Sequence, residues 1–414
     1  MSRSHSVPPM VRLLDRLREL SDAGGPPRTL LVVCPNSRSV IEAAVHAAAR
    51  HQAPLAFTAT LNQVDEDGGY TGMTHYDLAQ TVRETVRKTC FDGPVSLAVD
   101  HGGPFLKDRH RMEGWSPAAA RAGVRDSFAA AIRAGFDLIH VDCTVDPELS
   151  EGEGVPVPDM AERTVALIAD AEQVRREGAF SPVAYEVGTD EAGGALTDPL
   201  EWRDFLGRVR AGLVARGLGD VSLAFAVGNV GTDLHTHHFD AEVAKRLARV
   251  AAPFGCALKG HYTDDVDHPR AYPAAGVGAA NVGPEFSERE YEGLMTLESM
   301  EAAMIADGRI GWKGGLEAAL RQAVVDSGRW QKWLLPPEKG REFDELSSER
   351  RAWLVRTGAR YVWTRPSVVA ARKRLYQNMR MNGVDPDAVV RIAIEQSLDR
   401  YFQAFGLTGV NRWL

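Results

Sequence analysis

The feature that most constrains the fold is a regular alternation between short, nearly continuous apolar runs and longer segments with helical spacing. Apolar runs of this kind are typical of strands in a parallel sheet that is covered on both faces. Several intervening segments begin with Ser, Thr or Asp and end at Gly, which favours helix caps at those positions. The predicted strands are Thr29–Cys34, Pro54–Thr60, Val95–Asp100, Asp137–Asp142, Pro182–Val187, Val221–Val227, Cys256–Gly260 and Gly278–Val282.

Eight strand–helix units over about 280 residues fit the size of a (β/α)8 barrel. A doubly wound open sheet is the alternative, although it usually has fewer strands. The Gly-rich dinucleotide fingerprint of that fold is missing after the first strand, where the sequence reads VVCPNSRS. We therefore predict an α/β protein with a (β/α)8 TIM barrel, formed together with an N-terminal helix by residues 1–308.

The composition changes after about residue 308, because most of the tryptophans follow that point. Helical patterns continue there, interrupted by a Pro–Pro pair and by the charged stretch EKGREFDELSSERR. We predict a helical, Trp-rich C-terminal appendage over residues 309–414, packed by its aromatic side chains onto the barrel or onto a partner. The tryptophans in question are Trp312, Trp330, Trp333, Trp353, Trp363 and Trp413.

Charge and cysteine content limit the partners and the compartment. The 48 basic and 56 acidic residues give a net charge of −8, which disfavours a general nucleic-acid binder. No apolar run approaches the roughly 20 residues of a membrane span, and the opening segment does not resemble a signal peptide. The four cysteines are scattered without a CxxC motif, which is typical of reduced thiols. We expect a cytoplasmic protein with no nucleic-acid or membrane partner.

Polar residues follow each predicted strand, where (β/α)8 barrels carry their chemistry. Taken singly, each of these residues could have a purely structural role, such as helix capping by an Asp–His pair. Histidines at three strand ends together favour a divalent metal, most of all zinc, with cobalt, nickel or manganese as alternatives. The segments GHYTDD and NVGPEFS could offer backbone N–H groups to a phosphate. In chain order the candidates are Asn36, Asn62, Gln63, Asp100, His101, Asp142, Glu186, Asp190, Glu191, Asn229, His235, His237, His238, His261, Asn281 and Gly283.

Several segments resemble the GatZ/KbaZ family, which is named for the accessory subunit of class II D-tagatose-bisphosphate aldolase. They are TLNQVDEDGGYTGMT (60–74), VDHGGP (99–104), AGFDLIHVDCT (134–144), NVGP (281–284) and RYVWTRPSVV (360–369). The resemblance implies a ketose or ketose phosphate as substrate. Because some members are ketose 4-epimerases, it implies either such an enzyme or a subunit that stabilises a separate aldolase chain.

A more distant resemblance links the chain to class II ketose-bisphosphate aldolases, which are zinc-dependent (β/α)8 barrels. DHGGP is similar to their Asp–His pair, which implies that Asp100 is the acid/base and His101 a zinc ligand. KGHYT is similar to their segment with a second zinc ligand, here His261. Gly231 stands where those aldolases have a third zinc-binding histidine. His235 could replace it, with His237 and His238 as alternatives.

These residues permit retro-aldol chemistry on a ketose. Metal chelation of the carbonyl would stabilise an enediolate, and Asp100 would deprotonate the C4 hydroxyl so that the C3–C4 bond breaks. Re-addition of the aldehyde on its other face gives 4-epimerisation, which we favour; its release gives aldol cleavage. A non-catalytic subunit and a sugar-binding protein with a structural metal remain alternative functions. As partners we consider a second copy of this chain, in a homo-oligomer, or a class II aldolase subunit. Glu186 and Glu191 are assigned as further carboxylates or proton carriers, and the predicted substrate-binding set is Asn36, Asn62, Gln63, Asp142, Asn229, Asn281 and Gly283.

Overall fold

The computed structural model describes residues 7–150, 153–188, 197–233, 236 and 238–414. Within these residues eight parallel strands form a closed barrel, in which each strand pairs with the next and the last pairs with the first. The predicted (β/α)8 fold is confirmed, and each strand lies within two residues of its predicted bounds. The strands are β1 (Leu30–Val33), β2 (Leu55–Thr60), β3 (Val95–Gly102), β4 (Leu138–Val141), β5 (Ala184–Gly188), β6 (Leu223–Val227), β7 (Ala257–Gly260) and β8 (Val277–Val282).

Helices surround the barrel and begin where the sequence offers capping side chains. Ser37 accepts a hydrogen bond from the backbone N–H of Val40, and Thr74 forms a capping box with Asp77. Both contacts satisfy backbone donors that a helix leaves unpaired in its first turn. The helices are α1 (Pro9–Asp22), α2 (Arg38–His51), α3 (His75–Thr89), α4 (Asp108–Met112), α5 (Pro117–Ala134), α6 (Val157–Glu177), α7 (Pro199–Ala215), α8 (Ala241–Ala251), α9 (Ala271–Ala274) and α10 (Pro284–Ala306).

Strand register sets which side chains meet inside the barrel. Successive side chains of a strand point to opposite faces, and residues paired across neighbouring strands share a face. His140 on β4 pairs with Glu186 on β5, and Asp100 on β3 pairs with Thr60 on β2. Polar side chains therefore gather near the carboxyl ends of the strands, where barrel active sites lie.

The chain after residue 308 is helical, as predicted, and it packs on the barrel. Its last helix contacts α2 and α10. The hydroxyl of Tyr401 on that helix donates to the Thr263 carbonyl at 2.7 Å, just after β7. Trp330, Trp333 and Trp363 are buried. The helices are α11 (Leu316–Ser327), α12 (Ser348–Gly358), α13 (Pro366–Met381) and α14 (Pro386–Ala404). In the part of the chain described, no helix is long and apolar enough to cross a membrane.

Candidate active site

Two histidines from different strands face each other at the carboxyl end of the barrel. Nδ1 of His261, which follows β7, lies 3.1 Å from Nε2 of His101 on β3. The opposite nitrogen of each ring contacts a buried carboxylate. Nδ1 of His101 is 2.7 Å from Asp142, and Nε2 of His261 is 3.2 Å from Glu186. If each ring donates its proton to its carboxylate, the two facing nitrogens both present lone pairs.

An irregularity in β3 brings both residues of the Asp100–His101 pair to the centre. Adjacent side chains on a regular strand point to opposite faces, so only one of the two would face inward. The register with β4 shifts between Val99 and Gly102, and His101 has a φ of 44°. Strain of this kind in a residue other than glycine is found at functional sites, where it aims a side chain. Asp100 contacts His140 while its neighbour His101 contacts His261.

His140 on β4 connects several groups of the cluster, and the sequence analysis missed it. Its Nε2 donates to the carbonyl of Gly188 at 2.7 Å, so its Nδ1 carries the lone pair. That nitrogen accepts the backbone N–H of His101 at 3.1 Å and lies 3.3 Å from Asp100. His140 therefore serves as a fixed support for the Asp100–His101 pair. A signal was available, since His140 lies two positions before Asp142 and so shares its strand face.

Lys259 on β7 is the second residue that the sequence analysis missed. Its Nζ lies 2.6 Å from Oε2 of Glu186, and both side chains are fully buried. The other Glu186 oxygen contacts His261, so the lysine, the glutamate and the histidine form one chain of contacts. Lys259 on β7 precedes His261 by two positions, and His261 directly follows the strand, so the spacing favours the same inward direction for both side chains.

The charged groups of the cluster shift one another's pKa. Burial raises the pKa of the Asp100 carboxyl, but His101 and His261 outweigh it and hold that pKa well below its usual range. Burial also opposes ionisation of Glu186, whose pKa is nevertheless lowered to about 2 by Lys259 and His140. Burial lowers the pKa of His101, while Asp100 and Asp142 raise it to above its ordinary value. Both Asp100 and Glu186 are thus carboxylates at neutral pH.

The arrangement of donors fits a divalent cation. Two imidazole nitrogens that bind one tetrahedral zinc ion lie about 3.3 Å apart, since each bond is about 2.0–2.1 Å long. The 3.1 Å separation between His101 and His261 is close to that value. Two lone pairs at this distance repel each other unless a proton or a cation lies between them. Each ring is also oriented by a carboxylate on its far side, which is the usual support of a metal-binding histidine.

The other predicted ligands and carboxylates belong to the segments that follow β5 and β6. His235 and His237, and with them Asp190 and Glu191, lie outside the described residues. The side chain of His238 is exposed. Gly231 has a φ of 101°, and a Cβ there would lie 2.7 Å from the His238 carbonyl oxygen. A histidine at this position would be strained.

Three predicted substrate-binding residues meet beside β1. The amide oxygen of Asn36 accepts from Gln63 at 2.6 Å and from the Tyr70 hydroxyl at 2.8 Å, and its amide nitrogen donates to the Gly283 carbonyl at 3.0 Å. Asn62 does not join this group. Its side chain bonds to the Leu106 carbonyl and the Asp108 N–H, and so it holds the loop after β3.

Two other predicted residues keep unused amide groups in the buried interior. Asn281 donates to Asp100 at 3.2 Å, while its amide oxygen has no hydrogen-bond partner among the described residues. Asn229 accepts from the Gly231 N–H at 2.7 Å, and its amide nitrogen is likewise unpaired there. Buried polar groups without a partner are costly, so a ligand that bonds to them would gain affinity. Asp142, by contrast, uses its oxygens on His101 and Thr144.

Two backbone donors in the segments expected to hold a phosphate are already engaged. The N–H groups of Gly283 and Glu285 both donate to Asp264 Oδ1 at 2.9 Å. Asp264 follows β7 and these donors follow β8, so the carboxylate joins the two loops. The GHYTDD and NVGPEFS segments therefore bind each other through these groups.

Two solved structures share this fold. The first is described as a "probable tagatose 6 phosphate kinase" from Sinorhizobium meliloti, with a TM-score of 0.75 and 24% identity over 91% of this chain and 100% of that one. The second, a fructose-bisphosphate aldolase from Campylobacter jejuni, has a TM-score of 0.55 and 13% identity over 96% of this chain and 95% of that one. At these identities the likeness concerns the fold alone.

Family membership follows from the sequence match. The family described as D-tagatose-1,6-bisphosphate aldolase subunit GatZ/KbaZ-like matches residues 17–401, which includes the barrel and nearly all of the C-terminal helices. The segments that carry the resemblance also supply Asp100, His101, His140 and Asp142 to the buried cluster. The chain belongs to the GatZ/KbaZ-like family of D-tagatose-1,6-bisphosphate aldolase subunits.

Proposed function

We propose that this protein is a metal-dependent enzyme that breaks and remakes the C3–C4 bond of a ketose or ketose phosphate, with 4-epimerisation of a fructose/tagatose-type sugar as the net reaction. The observation that carries the proposal is the pair of facing imidazoles of His101 and His261 beside the carboxylate of Asp100. A scaffolding subunit does not need a buried constellation of this kind.

His101 and His261 would hold the cation, with a histidine of the 235–238 segment as the proposed third ligand. When bound, a zinc-type ion supplies polarisation of the C2 carbonyl and stabilisation of the enediolate. Asp142 and Glu186 would keep the two rings turned towards the cation, because each carboxylate fixes one ring nitrogen as a donor. Glu186 would therefore be a positioning residue, and Lys259 would neutralise its charge.

Asp100 would move the proton of the C4 hydroxyl. When it accepts that proton, the C3–C4 bond breaks, C4 becomes an aldehyde carbon and the bonding electron pair goes to the enediolate. Re-addition of C3 to the opposite face of the aldehyde returns the proton from Asp100 and yields the C4 epimer. Asn281 supports this role, because its amide donates to Asp100 and its free amide oxygen could bind a substrate hydroxyl.

Epimerisation requires that the aldehyde stays bound while it turns, whereas aldol cleavage requires its release. The C-terminal segment packs on the loop after β2, which supports retention. The Tyr70 and Tyr361 rings have centroids 4.6 Å apart, and the Thr364 hydroxyl donates to the Tyr70 carbonyl at 3.2 Å. Coverage of this kind excludes water and slows escape of a fragment. Aldol cleavage of tagatose or fructose bisphosphate, and a non-catalytic subunit role beside a class II aldolase, are the alternatives.

Product analysis tests the proposal. The purified protein is incubated with D-fructose, D-tagatose and their phosphates in the presence of a dehydrogenase that traps triose products. Accumulation of the C4 epimer without trapped triose is the expected result, and stoichiometric triose release would indicate an aldolase. If neither product forms and the protein instead prolongs the activity of an added class II aldolase, the subunit role is correct. Asp100→Asn, purified in the same way, controls for contaminating enzymes.

A further inference from the structure

A single turn of the C-terminal region carries an arginine at the mouth of the barrel. The 3-10 turn Ala359–Tyr361 follows α12, and Arg360 within it is only 5% exposed. Its guanidinium carbon lies 4.8 Å from the Tyr361 ring centroid and 5.6 Å from that of Trp333. Contact with two aromatic rings restrains the position of the guanidinium.

No ion pair joins the guanidinium of Arg360 to a carboxylate of the described residues, although, against the lowering effect of burial, the more distant charge of Asp264 helps to raise the pKa of Arg360. Its Nη1 is buried and has no hydrogen-bond partner in the described ranges. Other arginines of the same region pair with acids: Arg372 lies 2.9 Å from Glu290, and Arg350 lies 3.0 Å from Glu338. A buried cation without a partner is costly, and an anionic ligand would remove that cost. Arg360 therefore keeps a buried N–H donor that an anionic ligand could bind.

The neighbours of Arg360 belong to the same end of the barrel as the cluster. Tyr361 packs on Tyr70, whose hydroxyl donates to Asn36 just after β1. Burial raises the pKa of the Cys34 thiol at the end of β1, and the charges of Lys259 and Arg360 counteract that increase. Through Tyr361, Tyr70 and Asn36, the arginine is thus linked to the carboxyl end of β1.

In the segments that the sequence suggested for a phosphate, the N–H groups of Gly283 and Glu285 are engaged by Asp264, as described above. A side chain is thus the better candidate for recognising an anionic group at this site. Guanidinium groups match the geometry of phosphate and carboxylate oxygens because several N–H donors lie in one plane.

We propose that Arg360 binds an anionic terminus of the substrate, a phosphate monoester or a carboxylate, and so selects an anionic ketose over a free one. This proposal rests on the proposed function, because it concerns the substrate of the same site. It assigns the C-terminal region a direct part in substrate recognition, in addition to covering the barrel.

Binding of inorganic phosphate to the full-length protein tests the anion site without any reaction. Isothermal titration calorimetry compares the native protein with Arg360→Gln, Arg360→Lys and the control Arg380→Gln. Arg380 is a matched control because it also stacks on a tyrosine, Tyr376 at 5.5 Å, but it is exposed and paired with Asp387. We expect Arg360→Gln to weaken phosphate binding by roughly 10- to 100-fold and Arg360→Lys by less, because one or two charged hydrogen bonds are lost.

Kinetics then distinguish the two kinds of anion. The native protein and the variants are supplied with a free ketose, its 1- and 6-phosphates and a ketouronate, and kcat/KM is compared. We expect Arg360→Gln to lower the preference for one anionic class over the free ketose by a similar factor, and that class identifies the natural group. Equal phosphate affinity in the native and Arg360→Gln proteins, or an unchanged preference, would overturn the proposal.

The proposed function and the anion site at Arg360 can be disproved independently. If phosphate binding depends on Arg360 but no ketose is converted, the anion site stands and the proposed function is wrong. If ketoses are epimerised with the same preference by the native and Arg360→Gln proteins, the proposed function stands and the anion site is wrong. Should Arg360→Gln not fold, Arg360→Lys provides the comparison, since it keeps the charge but loses the paired donor geometry.

Discussion

The Nζ atom of Lys259 lies 2.6 Å from Oε2 of Glu186, and neither side chain is exposed to solvent. An ion pair inside a barrel is costly to desolvate, so its presence needs a reason other than stability. The second oxygen of Glu186 holds His261, one of the two facing histidines. The Lys259–Glu186 ion pair therefore fixes the orientation of His261, a proposed metal ligand.

Removing the lysine should leave an uncompensated buried carboxylate. We expect Lys259→Met to lower the free energy of unfolding by about 3–5 kcal/mol, and the double variant Lys259→Met/Glu186→Gln to recover most of that loss. Urea denaturation measures both. Lys245→Met breaks the exposed pair with Glu242 and should change the free energy of unfolding by less than about 1 kcal/mol. Equal effects of the two lysine variants would show that Glu186 is not held by Lys259.

Metal content follows from the His101–His261 pair. Elemental analysis of the purified protein should find about one zinc-type ion per chain, and His101→Ala and His261→Ala should each lose most of it. His268→Ala, which removes an exposed histidine, should keep the full content. A protein without transition metal, whose activity is insensitive to chelators, would contradict the assignment.

Asp100 should control the chemical step but not metal binding. We expect Asp100→Asn to lower kcat at least roughly 10²-fold, because the C4 hydroxyl loses its proton acceptor, while the metal content stays unchanged. Asp126→Asn, at an exposed position on α5, should keep the native rate. A near-native rate for Asp100→Asn would transfer the acid/base role to another carboxylate, such as Glu186 or Glu191.

His75 should make stability depend on pH. Both of its ring nitrogens are buried without a hydrogen-bond partner in the described chain, and burial lowers its pKa to about 4. The unfolded chain has a histidine pKa of about 6.5. Between these values the unfolded chain binds a proton that the folded protein does not, so stability falls as the pH decreases through that window.

The variant His75→Leu removes this titrating group. The free energy of unfolding of both proteins is measured with urea at pH 7, 6 and 5. The difference, variant minus native, should increase by up to about 1.4 kcal/mol per pH unit as the pH falls below 6.5. The free energies of unfolding of the two proteins are subtracted at each pH, because the contributions of the other titrating groups cancel in the difference. Parallel pH profiles would mean that His75 is not kept neutral by the fold.

The sequence by itself determined the architecture. Nearly continuous apolar runs of this length are typical of strands covered on both faces, and eight of them alternating with helices favour a closed barrel over an open sheet. It also predicted that Asp100, His101 and His261 lie together, because the carboxyl ends of barrel strands meet at one end of the barrel. These inferences depend on local spacing, and so local sequence was sufficient for them.

Only the tertiary structure decided how the polar residues are used. His140 and Lys259 lie inside apolar strands, where spacing alone does not distinguish a buried support from a residue on the outer face. Asp142, which was predicted to bind substrate, also contacts His101, and no sign of that contact was present in the sequence. The position of Arg360 over the barrel likewise depends on how distant helices pack. Such contacts join residues that are far apart in the chain, and they are set by barrel closure and by the register shift in β3, neither of which leaves a periodic trace in the sequence.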